Sequence, residues 1–388
     1  MPQYDALVIG AGFAGAVTAR ELAERGNRQV LVVEQRAHIG GNAYDRPDAS
    51  GVLIHQYGPH IFHTNDGKVY DYLARFARFN GYQHKVVANI PTESGRTSLP
   101  VPFNLLSLEV AFGPSKAKKL ENKLIATYGS EKKVTILELR RNPDPEIAAL
   151  ADYVYETVFV TYTQKQWGQS PEEIDPNTTA RVPVFLSRDC RYFQDAYQGL
   201  PVGGYTDLFQ RMLDHPQIRL LLNTPAQEVL TLADGQTLVF GEPFSGPVIY
   251  TGAVDELFHC RFGRLPYRTL DFQFETLEQE CYQTHGTVNY TADQDYTRIT
   301  EFKHMTRQIL PHTTIVKEYS RSYTGQSGEI PYYAILNPEN RALYDQYANL
   351  AKSYANLHLL GRLAEYQYYN MDAITARALA LSDTLIKD

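Results

Sequence analysis

Three glycines near the start of the chain, Gly10, Gly12 and Gly15, form the pattern G-x-G-x-x-G directly after the apolar run Ala6-Leu7-Val8-Ile9. Glycine at that spacing suits a dinucleotide. The first turns the chain tightly after a strand, the second lets the backbone approach a pyrophosphate, and the third lets helix and strand pack closely. A helix starting there, with Phe13 and Ala14 in its first turn, points free N–H groups at the phosphates. Glu34 closes the next apolar run about 20 residues on, where a carboxylate accepts hydrogen bonds from a ribose 2′-OH and disfavours a 2′-phosphate. Gln35 and Arg36 follow it and are counted with the cradle. The glycine pattern alone is weak. Here a strand precedes it, a helix follows, and the acidic residue stands at the right distance, so a surface Glu after an ordinary turn is the poorer reading.

The same fingerprint serves NAD and FAD. A second glycine pair, Gly40-Gly41-Asn42, comes soon after the second strand and is similar to the extension with which FAD proteins of this type run backbone along their cofactor. Gly361-Arg362, ahead of a C-terminal helix that opens at Met371-Asp372, resembles their last cofactor contact. Each could be a plain turn, but the combination favours FAD.

The elements needed to hold such a site are legible. Residues 5–34 read as strand, helix, strand, and Gly26-Asn27 ends the helix. Pro102-Phe103-Asn104 opens a mainly helical stretch, 103–170, in which Ile147, Leu150, Val154 and Val158 share one face and Pro143 and Pro145 separate the pieces. Pro171, Pro176 and Pro183 predict a loop over 171–186 that carries Arg181. From about 256 to 343 the pattern turns to short β-like runs, Thr287–Tyr290, Thr297–Phe302, Thr314–Tyr319 and Pro331–Ile335. The chain then closes with an apolar run, Gly361, a tyrosine-rich turn and a helix from about Asp372.

Bulk properties bound the function. The chain has 388 residues, which predicts more than one packed unit. A net charge of −7 argues against nucleic acid, though not against a pocket of two or three arginines. The 28 tyrosines suit a wet cleft that stacks and hydrogen-bonds a base or sugar, although most are expected to half-bury on sheet faces. Cys190, Cys260 and Cys281 are widely spaced, so neither disulfides nor a metal site is expected, and a reducing cytoplasm fits. No basic region precedes the first apolar run, so no signal peptide is expected. No apolar stretch reaches membrane-spanning length, so no membrane partner is expected.

Several further segments carry a family resemblance: Gly58-Pro59-His60-Ile61-Phe62-His63-Thr64, Tyr162-Thr163-Gln164-Lys165-Gln166-Trp167-Gly168, Gly204-Tyr205-Thr206, Tyr267-Arg268-Thr269-Leu270-Asp271, Tyr296-Thr297-Arg298-Ile299-Thr300-Glu301, Lys317-Glu318-Tyr319-Ser320-Arg321, and Gly361-Arg362-Leu363 with Tyr368 and Met371-Asp372. In order and along nearly the whole chain, they resemble bacterial UDP-galactopyranose mutases. The resemblance implies a flavin-dependent isomerase that interconverts UDP-galactopyranose and UDP-galactofuranose by ring contraction, without net redox change. It implies that N5 of reduced FAD attacks the anomeric carbon and UDP departs, the protein supplying position and charge. Galactofuranose made this way would feed cell-surface polysaccharide.

The family's roles carry over position by position. Arg181 resembles a lid arginine clamping the diphosphate, Arg362 the opposing arginine, and Tyr319 and Tyr368 the diphosphate tyrosines; guanidinium forks suit phosphate oxygens. Phe159 and Tyr162 resemble the uracil-stacking pair, and Trp167 an aromatic wall near the sugar. For these, helical core packing is the competing reading. Arg298 resembles an arginine beside the flavin, where positive charge favours the anionic reduced form. His63 resembles a histidine over the isoalloxazine, with a structural histidine as the alternative. Asn289 and Tyr192 match substrate-side positions, and His60 and Ile61 are placed with the cofactor. Asn370 stands where some members carry Asp, so a negative charge there is not required by this sequence. A cellular flavin reductant and a homodimer are also expected.

The expected fold is α/β. It combines a discontinuous Rossmann-like FAD domain (1–79, 199–255, 344–388), a helical insertion (103–170) and an antiparallel β-sheet domain (80–102, 171–198, 256–343), with the active cleft between them. Two rivals share this fold. A flavin amine oxidase or desaturase would need an apolar or amine pocket, against which the arginines and tyrosines argue. A non-enzymatic binder resembling the Rab GDP-dissociation inhibitors would be colourless, and the intact glycine triplet with Glu34 argues against it.

Overall fold

Hydrophobic runs that lack alternation belong to strands covered on both faces, and the first unit is built around such runs. The computed structural model describes residues 4–92, 95–168 and 183–387. It divides into two compact units, one of Met1–Tyr82, Asp195–Tyr267 and Gly325–Asp388, the other of Gln83–Gln194 and Arg268–Thr324.

In the first unit Ile218–Leu221, Val30–Val33, Ala6–Ile9, Val248–Tyr250 and Leu357–Leu359 form, in that spatial order, a five-stranded sheet that is parallel throughout. Register pairs Ala6 with Val30 and Leu7 with Val248. The helix Phe13–Glu24 returns along this sheet and packs on the C-terminal helix Met371–Lys387. Small buried residues allow the close approach: Ala16, Ala19 and Ala23 on one helix, Ala378 and Ser382 on the other. Arg28 donates to Leu385 O, satisfying a carbonyl that the last helical turn leaves open.

In the second unit six strands lie side by side in the order Tyr267–Leu277, Thr313–Ser322, Arg298–Glu301, Thr287–Tyr290, Val86–Thr92, Gly95–Val101. The expectation of an antiparallel sheet needs one correction. Thr287–Tyr290 pairs with Val86–Thr92 in parallel, whereas the other neighbours are antiparallel. Those two strands are joined through nearly two hundred residues rather than a hairpin, so no turn forces them antiparallel. The helical stretch begins where the sequence placed it. Asn104 caps Leu105–Tyr128 in a capping box with Ser107, and Pro145 sits in the first turn of Pro145–Val154. Ile147, Leu150, Val154 and Val158 are all buried in the core beneath. Among the described residues no helix is long and apolar enough to cross a membrane.

Candidate functional site

The glycines of the first turn do different jobs. Gly10 has φ +105°, and a Cβ there would lie 2.0 Å from Thr251 Oγ1. A Cβ on Gly15 would lie 1.8 Å from Gly10 O, so this residue sets the helix-to-strand distance. Gly12 is different: its backbone is extended, and a Cβ would meet Gly41 Cα at an ordinary 3.6 Å. The first and second glycine motifs therefore lie against each other. Phe209 and Asp45 fix the second one. A Cβ on Gly40 would meet the Phe209 ring at 3.2 Å. The Asp45 carboxylate accepts from Tyr205 N at 2.6 Å and Thr206 N at 2.8 Å, tying this segment to the start of the helix Tyr205–Leu213. Burial, opposed by those bonds, raises the Asp45 carboxyl above its usual range.

This arrangement fits a dinucleotide on three observations. The helix Phe13–Glu24 has no side-chain cap and no acidic residue in its first turn, so its N–H groups are left for an anion. The Glu34 carboxylate is 6% exposed and already accepts from Ala11 N and Arg36 N, each at 2.9 Å, which holds it at the end of its strand. Arg36 donates to Asn42 Oδ1 at 3.0 Å and lies 4.6 Å over the Tyr57 ring, yet its Nη1 is buried with no acceptor among the described residues. An orphaned guanidinium N–H beside the cradle matches an anionic or ribosyl ligand. Gln35 is exposed and Ala14 lies 3.6 Å from where a Gly361 Cβ would be, so the C-terminal glycine closes against the first helical turn.

In the same unit Arg362 donates through Nε to Tyr369 O at 2.6 Å and stacks 4.5 Å over Tyr368, which stacks in turn on Tyr333. It has no carboxylate partner among the described residues. Asn370 is exposed and precedes the C-terminal helix, where Met371 and Asp372 are half-buried. His60 donates its backbone N–H to His55 Nδ1 at 2.9 Å. Burial depresses His55 to about 4, so its ring stays neutral and able to accept. Ile61 is half-buried. His63, on the strand Phe62–Thr64, pairs through Nδ1 with Asp195 at 3.0 Å, and Asn65 donates to the other Asp195 oxygen at 2.7 Å.

In the second unit Asn289, Arg298 and Glu318 stand directly opposite one another on three adjacent strands and so share a face. Arg298 pairs with Glu318 at 2.8 Å; Glu318 is fully buried, and the Asn289 Oδ1 is buried without a partner among the described residues. The arginine's charge is therefore matched, which weakens its field on any neighbouring group. Tyr319 is next along the strand and faces the opposite side, donating to Gln273 and packing edge-on to Tyr296. The sheet does not bring Tyr319 and Arg298 together. Phe159 is 4% exposed in the helical core, stacked on Tyr155. Tyr162 is half-buried, and Tyr192 packs edge-on to His84. Trp167 ends the helix Thr161–Trp167, whose last carbonyls, Lys165 O and Gln166 O, receive the buried Arg268 guanidinium. Arg181, with most of the 171–186 loop, lies outside the described residues.

Residues 8–76 match the NAD(P)-binding Rossmann-like domain family, and residues 157–368 match the UDP-galactopyranose mutase family. A protein from Mycoplasma pneumoniae named UDP-galactopyranose mutase is 36% identical, the match covering 99% of this chain and 97% of that one. The chain belongs to the UDP-galactopyranose mutase family. An Escherichia coli relative, named dTDP-fucopyranose mutase, is 35% identical over 98% of both chains. A crystal structure of a reduced UDP-galactopyranose mutase shares the fold, with a TM-score of 0.72 at 15% identity over 100% of this chain and 94% of that one. FAD is the dinucleotide of this cradle, and the chain is a flavoprotein.

Sequence reading missed four supporting residues: Asp195 beneath His63, Glu318 beneath Arg298, Thr251 against Gly10, and Arg268 at the end of the Trp167 helix. Asp195 lies 132 positions from its partner, and no local signal announces it. Glu318 and Arg268 sat inside segments already singled out; cross-strand register pairs Glu318 with Arg298, whereas Arg268 reaches helix carbonyls that no register reveals. Gly12→Ala is expected to fold normally, because its Cβ meets only ordinary contacts, and to lose FAD affinity at least about tenfold, or about 1.4 kcal/mol. Gly15→Ala should instead destabilise the protein itself, by about 1–3 kcal/mol. A Gly12→Ala protein that purifies with its full complement of FAD would show that the pyrophosphate does not run past this residue.

Proposed function

We propose that the protein interconverts UDP-galactopyranose and UDP-galactofuranose. The full-length relationship to a UDP-galactopyranose mutase carries this reading. Arg362 supports it: a guanidinium without a carboxylate partner among the described residues, backed by Tyr368 and Tyr333, suits a diphosphate. FAD, when bound and reduced, supplies a nucleophilic nitrogen for the anomeric carbon. The chain's own groups position the sugar nucleotide and balance the charge of the departing UDP. Arg181 and Arg362, with Tyr319 and Tyr368, are assigned to the diphosphate. Phe159 and Tyr162 are assigned to the uracil, and Trp167, Tyr192, Asn289 and Asn370 to the rest of the substrate. Arg298, its charge balanced by Glu318, and His63, its ring oriented by Asp195, are assigned to the flavin side, with His60, Ile61, Met371 and Asp372 lining the cofactor. The helical part 103–170 and the sheet part are treated as separate functional domains. The setting is the cytoplasm, with a cellular flavin reductant and a homodimer.

The Escherichia coli relative supports a second reading, in which the nucleotide is dTDP and the sugar 6-deoxygalactose. Reduced holoenzyme incubated with UDP-galactofuranose or with dTDP-fucofuranose, products separated by chromatography, decides between them. Pyranose formation from the UDP sugar at a kcat/KM at least about tenfold above that from the dTDP sugar is expected. The reverse ratio would transfer the assignment to dTDP, and no conversion of either would remove it.

A further inference from the structure

We propose that Cys281, Glu301 and His304 form a zinc site, distinct from the flavin and nucleotide machinery, that clamps the loop 278–286 to the end of the strand Arg298–Glu301. The three residues come from separate places: the loop after the long strand Tyr267–Leu277, the last residue of Arg298–Glu301, and the short helix Lys303–Thr306. Their ligand atoms nevertheless converge. Cys281 Sγ lies 3.5 Å from His304 Nε2 and 3.8 Å from Glu301 Oε2, and His304 Nε2 lies 3.2 Å from that same oxygen. Metal–ligand lengths of about 2.0–2.3 Å at tetrahedral angles separate such donors by roughly 3.3–3.6 Å. An ion therefore enters with shifts of only a few tenths of an ångström.

The donor chemistry selects the ion. One thiolate, one imidazole and one carboxylate are a zinc set rather than a magnesium or calcium set. Thiolate and carboxylate together neutralise the ion's two charges. The fourth position falls to solvent, since Cys281 is exposed, or to Gln283 O, which lies 2.9 Å from Sγ and 2.8 Å from Nε2. The surroundings hold the carboxylate still, as a metal ligand requires. Glu301 is 1% exposed and its Oε1 accepts from Tyr282 N at 2.9 Å and Thr313 Oγ1 at 2.7 Å, while Oε2 accepts from Gln283 N at 2.9 Å. The neighbouring Lys303 ammonium is engaged by three backbone carbonyls, those of Glu280, Leu310 and His312, and so does not compete for Glu301. Sequence spacing hid the site. Glu301 and His304 are only three residues apart, on one turn, but Cys281 lies 20 positions earlier in a loop that tertiary packing brings to them, so no single short motif contains all three.

The test uses untagged holoenzyme with FAD bound, stripped of metals by a chelator and titrated with zinc chloride alone. One zinc per chain should be retained after gel filtration, with a rise in melting temperature. Cobalt chloride in place of zinc should give absorption at wavelengths longer than oxidised flavin absorbs, the mark of a tetrahedral site. Cys281→Ser removes an exposed side chain and should leave folding and mutase activity intact, yet weaken zinc binding by at least about tenfold. His304→Gln should do the same. Absence of stoichiometric zinc, or equal affinity in Cys281→Ser, overturns the site.

Discussion

Air-oxidised holoenzyme is expected to be inactive, and the same sample reduced with dithionite to turn over, although the reaction consumes no electrons. Among the described residues no cysteine is poised to attack the anomeric carbon. Burial raises the thiols of Cys260 and Cys281 above their usual range, the reverse of what an activated nucleophile needs. Cys190 Sγ lies near the Arg188 carbonyl and the Asn104 amide, neither of which is a base. The proposed nucleophile is the cofactor, whose reduced form alone has a usable electron pair at N5. The rate should fall by at least on the order of a hundredfold on oxidation, about 2.7 kcal/mol of lost transition-state stabilisation. The flavin spectrum should remain that of the reduced form after many turnovers. An amine-oxidase-like enzyme behaves oppositely: substrate bleaches the flavin stoichiometrically, and an added acceptor restores its colour. Full turnover by oxidised enzyme would end the nucleophilic-flavin assignment.

Arg362→Ala is expected to lower kcat/KM by about a hundredfold or more while FAD content stays near wild type. The magnitude follows from removing one charge-assisted clamp on a leaving diphosphate. The geometry adds a graded control. Nε is already used on Tyr369 O, so the part free for a ligand is the terminal fork. Arg362→Lys keeps the charge but loses the fork and the flat stacking on Tyr368, and should recover only part of the loss. Alanine and lysine variants with wild-type kcat/KM would show that the diphosphate lies elsewhere.

What the sequence disclosed divides by the range of the interaction. Gly10, Gly15 and the apolar strands around them are legible because turn sterics and two-sided burial act over a few residues. Asn104 and Pro145 announce helix starts for the same reason. The strand Thr297–Phe302 was found from its alternation, but alternation implies one wet face, and here Ile299, Thr300 and Glu301 are all buried. Glu301 goes inside because Thr313, Tyr282, Gln283 and His304 satisfy it, partners no periodicity reveals. The long strand Tyr267–Leu277 and the flanking Val86–Thr92 and Gly95–Val101 were not delimited. The matched polar pairs His63–Asp195 and Arg298–Glu318 depend on tertiary register, so the sequence showed one partner of each and not the other.

The cofactor sheet takes its central strand from residue 6 onward and its edge strand from Leu357–Leu359, with Gly361 just beyond and the helix Met371–Lys387 covering the first helix. A ribosome therefore makes the glycine turn well before it makes the segment 357–387 that closes against it. Until the helix Met371–Lys387 has left the exit tunnel, the apolar side of the helix Phe13–Glu24 lacks its cover. The cradle is thus complete only once that later segment has folded back onto the first helix.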